Sequence, residues 1–488
     1  MQDQILILNF DNAYSATIAS RLRAERIAAK ILPGHATAEQ VLAQESLGVI
    51  LSGGINGDIP VSLDGQLLRS GIPVLALGNV VPAVITLLGG QVEEAVPVND
   101  VDTLTFLPSR VTEGLGESER MFGTLFPLCL TDDLEPLATY HEVAVGASHK
   151  TQEIYAVGCQ LEPNDPDMFN LMVQFATKVC GCTSWWSEDA FISLARSAIQ
   201  EAAGEERAVC VMSGGLDSGV TALIAHRALG DRLTCLFVDS GLHRENEVVE
   251  FAAYYKNLGL QLNIINARER VLAALAGKIN QEDKRIALHE VLSRALEEAA
   301  ASIDYGLQVI SSSSDHLFAG RSAPASLPLL KPKMHSIAPL GDLFKDEIRR
   351  IGEALGMPHE MTNMQSFPWS GLALRIMGEC TVDKINLLRW ADYQFCNDIK
   401  EAGLSRRLWK YFAMLYEIPY QEEQPALAIA LRALSISHTG SDLRALPARL
   451  PYDLLERYTQ RAQAYDKRIH KIIYDLTPSF SLQESEWR

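Results

Sequence analysis

The chain has 488 residues, 47% hydrophobic and 21% charged, a balance ordinary for globular protein and a length that suggests about two to four domains. A formal net charge of −18 argues against a general binder of nucleic acid or of an acidic membrane surface. Eight cysteines in so long a chain do not make a disulfide scaffold, no pair has zinc-ribbon spacing, and Cys180-Gly181-Cys182 reads as structural.

The start, Met1-Gln2-Asp3-Gln4, has no basic leader pattern, and no apolar run is long enough to span a bilayer, so a reducing cytoplasm is the expected compartment. Ile5-Leu6-Ile7-Leu8 predicts a buried strand and Ala16 to Ala24 a helix. Val49-Ile50-Leu51 runs into Ser52-Gly53-Gly54, and Val74-Leu75-Ala76-Leu77 runs into Gly78 before a helical stretch from Val80 to Leu88. Strands alternating with helices predict a parallel, doubly wound α/β sheet. Its functional groups belong at the strand C-termini, from Ser52 to Asn56 and around Gly78.

Ser187-Glu188-Asp189 predicts a capped helix that opens a second unit, which puts a boundary near Trp186. The most informative stretch follows. The apolar run Val209-Cys210-Val211-Met212 predicts a buried strand, Ser213-Gly214-Gly215-Leu216-Asp217-Ser218 a turn, and Val220 onward a helix. Glycine lets backbone N–H groups approach a phosphate closely, and a helix start adds unpaired donors and a positive dipole end, so the loop is expected to hold a polyphosphate. No Gly-x-x-x-x-Gly-Lys-Ser/Thr spacing is present, which argues against a loop that cuts the γ-phosphate. Thr234 to Val238 predicts a second strand ending at Asp239, whose carboxylate is placed for magnesium or ribose hydroxyls. Ala267 to Ala301 is helical in period, and Leu343 to Arg349 carries Lys345 and Asp346.

Ser-Gly-Gly-x-Asp-Ser resembles the PP-loop of ATP pyrophosphatases. The resemblance implies cleavage between the α and β phosphates of ATP, with Ser213, Gly214, Gly215, Leu216 and Ser218 around pyrophosphate and Asp217 on Mg2+. Ile50-Leu51-Ser52-Gly53-Gly54, Gly71-Ile72-Pro73-Val74-Leu75, Phe344-Lys345-Asp346-Glu347, Phe367-Pro368 with Gly371-Leu372-Ala373, and Arg375 extend the similarity to the GMP synthase family over nearly the whole chain. That similarity implies a flavodoxin-like class I glutamine amidotransferase domain over residues 1–186, a parallel-sheet ATP pyrophosphatase domain over 187–363, and an α+β domain for dimerisation and acceptor binding over 364–488. It also implies that Asp239 lies beside the nucleotide, that Lys345 contacts the transferred phosphate, and that Asp346 shares the magnesium.

The departures from the family pattern are as specific as the matches. An amidotransferase needs a cysteine on a strand-to-helix elbow, a histidine base and an orienting glutamate. Gly78 stands where the cysteine belongs, and the family's His-Pro-Glu becomes Gln160-Leu161-Glu162, so Glu162 alone of the triad remains. Cys159 reads as a buried apolar residue, because adjacent strand residues point to opposite faces. On the acceptor side Lys331 and Lys333 replace a lid signature, Trp369 and Ser370 replace a Gly-Pro pair, and Glu486 and Trp487 keep counterparts while a phosphate-binding lysine does not. The expectation is an ammonia-dependent, AMP-forming ligase acting on a small acceptor, with Ser370, Arg375, Lys331, Lys333 and Glu486 as acceptor-site candidates. Xanthosine monophosphate amination with ammonia is one alternative; a non-catalytic nucleotide-binding regulator is another. A homodimer through the C-terminal domain and a protein partner for the inactive first domain complete the expectations.

Overall fold

The computed structural model describes residues 2–53, 63–98, 101–121, 124–159, 165–313, 330, 335–365, 370–418, 426–439 and 442–478. Gln160, Glu162, Lys331, Lys333 and Glu486, together with Trp369 and Trp487, lie outside the described residues. The chain forms two compact units, Met1–Phe191 and Ile192–Arg488.

The first unit is built on a nine-stranded sheet. Its parallel part runs in the order Ala29–Pro33, Gln2–Asn9, Ser46–Ser52, Val74–Leu77 and Ile154–Val157. That is the second-first-third-fourth-fifth order of a flavodoxin-like sheet. Val143–His149, Leu134–Tyr140, Val101–Phe106 and Glu117–Met121 extend it in antiparallel register. Ile5, Leu6, Ile7 and Leu8 are all 0% exposed, as expected for a parallel strand covered on both faces. The first helix spans Asn12–Ala24 and starts earlier than its apolar pattern because Asp11 caps it, accepting the Tyr14 N–H at 3.1 Å. Ser187 caps the helix Glu188–Ala203, most of which belongs to the second unit, accepting the Ala190 N–H at 3.1 Å.

The second unit carries two sheets. The first is wholly parallel, in the order Leu262–Asn266, Leu233–Asp239, Ala208–Met212, Leu307–Val309 and His335–Ile337. The chain's first strand here, Ala208–Met212, lies in the middle, and the later strands add to one side and then to the other. A crevice at the strand C-termini is the consequence of such a switch in winding direction. The helical stretch expected from Ala267 to Ala301 is two helices, Arg268–Leu275 and Gln281–Ala301. Gly277 between them takes φ +71°, and Asn280 caps the second by accepting the Glu282 N–H at 2.8 Å.

The second sheet orders Ile376–Met377, Lys410–Ile418, Ala426–Thr439 and Asp442–Pro447, with Ile469–Tyr474 also paired to Ala426–Thr439. The helix Val382–Glu401 presents Ile385, Leu388, Ala391, Phe395 and Ile399 at helical spacing, all buried. One apolar core joins the two sheets, running from Val209 and Leu236 through Leu242 to Leu372, Leu388 and Ile429. The fold class is mixed α/β with parallel sheets in both units.

Candidate active site

At the centre of the parallel sheet, Ala208–Met212 is buried throughout and ends at Ser213. Gly214 then adopts φ +87°, a left-handed conformation that costs an L-residue with a Cβ about 1–2 kcal/mol. Gly215 is extended and caps the helix Leu216–Leu229. The loop is stitched by Ser218, whose side chain is almost wholly buried. Its hydroxyl donates to the Gly215 carbonyl at 2.9 Å and accepts from the N–H and the hydroxyl of Ser213, each at 3.2 Å. The amides of Leu216, Asp217 and Ser218 in the first helical turn have no backbone partner among the described residues. A turn closed on itself, with three amides left over and a glycine on either side of the bend, is built to receive an anion.

Asp217 is 6% exposed and, among the described residues, contacts the side chains of Lys345 and Ser313. Lys345 Nζ lies 2.5 Å from Oδ1, and the Ser313 hydroxyl donates to Oδ2 at 3.2 Å. Three separate pieces of chain thus meet at one carboxylate: the loop after Ala208–Met212, the segment after Leu307–Val309, and the first residue of the helix Lys345–Ala354. A lysine at a helix N-terminus opposes the dipole and needs an anion to face; Asp217 is that anion. Ser313 is not a candidate from the sequence: it follows the strand Leu307–Val309, and the order of residues does not tell which strand that one lies beside.

Asp346 does not join this group. It is exposed on the next position of the helix and lies 3.4 Å from Arg350. Its neighbour Glu347 is fully buried and accepts the Phe344 N–H at 2.9 Å. Among the described residues no group of three or more His, Cys, Asp or Glu is arranged to hold a metal. Asp217 still fits magnesium, which is commonly bound by one or two carboxylates with substrate phosphates and water completing its shell.

Asp239 ends the neighbouring strand and is 7% exposed. Oδ1 accepts the Gly241 N–H at 3.0 Å, and Oδ2 accepts from Arg268 Nε at 2.9 Å and Nη2 at 2.8 Å. Burial opposes its ionisation, but the Arg268 hydrogen bond, the Gly241 amide and the charges of Arg268 and His243 outweigh it and hold the carboxyl below its ordinary range. The carboxylate already has an arginine partner, so it shapes the loop from within.

Arg375, expected in the acceptor site, is 3% exposed. It pairs with Asp392 at 3.3 Å, and its guanidinium lies 4.4 Å from the centre of the Phe412 ring. Its occupation in this structure is internal packing. Ser370 is half-buried, at the turn before the short helix Gly371–Arg375.

In the first unit the elbow survives in the backbone. Gly78 follows Val74–Leu77 directly, is buried, and takes φ +65° before the helix Val81–Leu87. The strained turn that would present a nucleophile carries a residue without a side chain. Ala76 and Val80 on either side are 0% exposed, and the Gly53 N–H is taken by the Leu77 carbonyl at 2.9 Å. Cys159 is 0% exposed, in keeping with an apolar role. None of the eight cysteines is in a disulfide, and burial pushes the Cys182 thiol up to about 12 and the Cys180 thiol further in the same direction.

Residues 190–325, which contain the loop, match the family model for NAD synthase. A parallel sheet with this loop at its switch point, and a lysine set on the loop's carboxylate, defines the class: a PP-loop, ATP-dependent C–N ligase. The chain is 31% identical to the glutamine-hydrolysing GMP synthase of Carboxydothermus hydrogenoformans, covering 98% of both chains. It is 32% identical to that of Acetivibrio thermocellus, covering 97% of both. The NH3-dependent NAD synthetase of Campylobacter jejuni is a structural neighbour at 19% identity and a TM-score of 0.31, covering 37% of this chain and 79% of that one. The chain belongs to the GMP synthase family.

Proposed function

We propose that the protein uses Mg-ATP to adenylate a carbonyl oxygen of a small, purine-like or other acceptor, and that free ammonia then completes the C–N bond. The acceptor oxygen attacks the α-phosphorus and pyrophosphate leaves; ammonia adds to the adenylated carbon and AMP leaves. Adenylation turns a poor oxygen leaving group into a good one. The amides of Leu216, Asp217 and Ser218 would take the pyrophosphate oxygens, where charge develops. Asp217 would hold magnesium, which supplies neutralisation of the phosphate charge. Lys345, already beside Asp217, would contact the same phosphates.

The observation that carries this reading is the convergence of Asp217, Lys345 and Ser313 on the loop of Ser213 to Ser218. Loss of glutamine hydrolysis rests on Gly78, since a glycine has no nucleophile. An acceptor other than xanthosine monophosphate rests on the replaced Gly-Pro pair at Trp369-Ser370 and on the altered tail before Glu486. Xanthosine monophosphate amination with ammonia is the competing reading, favoured by full-length similarity to GMP synthases. The same proposal places adenylation in residues 187–363, acceptor binding and homodimer contacts in 364–488, the enzyme in the cytoplasm, and a protein partner on the first domain.

The test is pyrophosphate release from Mg-ATP with xanthosine monophosphate and either ammonium or glutamine, with product masses determined. Pyrophosphate release that needs ammonium and a different acceptor supports the proposal. Ammonium-dependent GMP establishes the competing reading. Mg-ATP binding without turnover on any acceptor tried removes the catalytic assignment.

A further inference from the structure

The loop that follows Asp239 is held backbone atom by backbone atom from the C-terminal part of the second unit. Arg389, on the helix Val382–Glu401, donates through Nη2 to the Gly241 carbonyl at 2.5 Å and through Nε to the His243 carbonyl at 2.9 Å. Its remaining Nη1 donates to Asn386 at 2.6 Å, which fixes the plane of the guanidinium. Between those two carbonyls, the Leu242 carbonyl accepts the Leu372 N–H at 2.9 Å. The approach is close enough that a Cβ on Gly371, already at φ +61°, would lie 2.5 Å from the Leu242 oxygen. One residue on, Arg244 lies 3.3 Å from Asp392, which is 1% exposed and also pairs with Arg375 and accepts the Ala413 N–H at 2.9 Å.

Four consecutive residues, 241–244, are thus gripped by Arg389, Leu372 and Asp392. The first of them is also the residue whose N–H orients Asp239. Hydrogen bonds from a fixed, planar guanidinium to neutral carbonyls are charge-assisted and directional, and a lysine lacks the rigid fork that sets both carbonyls and Asn386 in one plane. Packing alone would not need a half-buried arginine threaded between two carbonyls of a neighbouring loop.

We infer that Arg389 is a positioning residue for the nucleotide site: it locks residues 241–244 in the conformation that sets Asp239 beside bound ATP, and so ties ATP affinity to the C-terminal region. The inference rests on the adenylating reading of the phosphate loop.

Arg389→Met and Arg389→Lys in the full chain test it through two measurements: Mg-ATP affinity by calorimetry, and hydrogen exchange of the peptide covering 240–247 without nucleotide. The expected result is a Kd for Mg-ATP raised about tenfold in Arg389→Met and less in Arg389→Lys, with faster exchange confined to 240–247 and an unchanged melting temperature. Wild-type affinity in both variants, or exchange that rises throughout the unit together with a lowered melting temperature in Arg389→Lys, overturns it. Wild-type protein that does not bind Mg-ATP sinks the adenylating reading and this inference together, whereas wild-type binding with unaltered variants sinks this inference alone.

Discussion

Asp217 is the residue on which the site closes, because it is a buried carboxylate that belongs to the phosphate loop and faces a lysine. Asp217→Asn keeps the shape and removes the charge, and pyrophosphate release from Mg-ATP is expected to fall about a hundredfold or more. Equal turnover of this variant and wild type in a phosphate-coupled assay would show that the metal is held elsewhere. Asp239 makes a different prediction, about pH. Its carboxyl is held below the unfolded value of about 3.9, so the stability it contributes is complete above that pH and is lost as pH falls through the lower, folded value. Urea midpoints of wild type and Asp239→Asn are therefore expected to differ steadily from pH 6 down to about pH 4 and to draw together only as pH falls further. A difference that persists unchanged well below about pH 4 would mean the carboxylate's charge is not what matters.

The loop helix Leu216–Leu229 is the element that sets the site, and its attachment depends on a missing side chain. Gly219 lies in its second turn, and a Cβ there would sit 1.9 Å from the Tyr255 hydroxyl. In an open helix Gly→Ala gains about 1 kcal/mol. Here the overlap reverses the sign, and Gly219→Ala is expected to lose about 1–3 kcal/mol in chemical denaturation. Tyr255→Phe removes the clashing oxygen, so the double variant is expected to recover part of the loss. A stabilised Gly219→Ala would show that the helix shifts freely on the one carrying Tyr255, Glu247–Asn257.

On the scale of the molecule, the first unit keeps its nine-stranded sheet and a turned elbow at Gly78 while lacking the thiol. Turnover is expected to depend on ammonium, to rise with pH as ammonium becomes ammonia, and to be indifferent to glutamine. Gly78→Cys is expected not to restore glutamine use: it strains a left-handed position by about 1–2 kcal/mol and adds a thiol without the histidine base, since Gln160 stands at that place. Ammonia release from glutamine by wild-type protein, followed by coupled dehydrogenase assay, would reverse that expectation. Among the described residues no helix is long and apolar enough to cross a membrane.

Much of this was legible in the order of residues. Runs such as Ile5 to Leu8 and Val209 to Met212, each closed by a turn, specify buried parallel strands because period and hydrophobicity are local properties. The phosphate loop was legible for the same reason, since its glycines, serines and aspartate are contiguous and its chemistry is made by backbone donors within six residues. What the chain could not announce was partnership at a distance. Ser313 and Lys345 reach Asp217 only because the strand Leu307–Val309 adds beside Ala208–Met212, and Asp346 is turned away because one helical position rotates a side chain by about 100°. Arg375 and Arg389 are both arginines of one C-terminal region, yet one is buried against Asp392 and the other grips the loop at 241–243. Burial and partner choice are set by packing among segments 17 to 148 residues apart in the chain, and they belong to the tertiary structure alone.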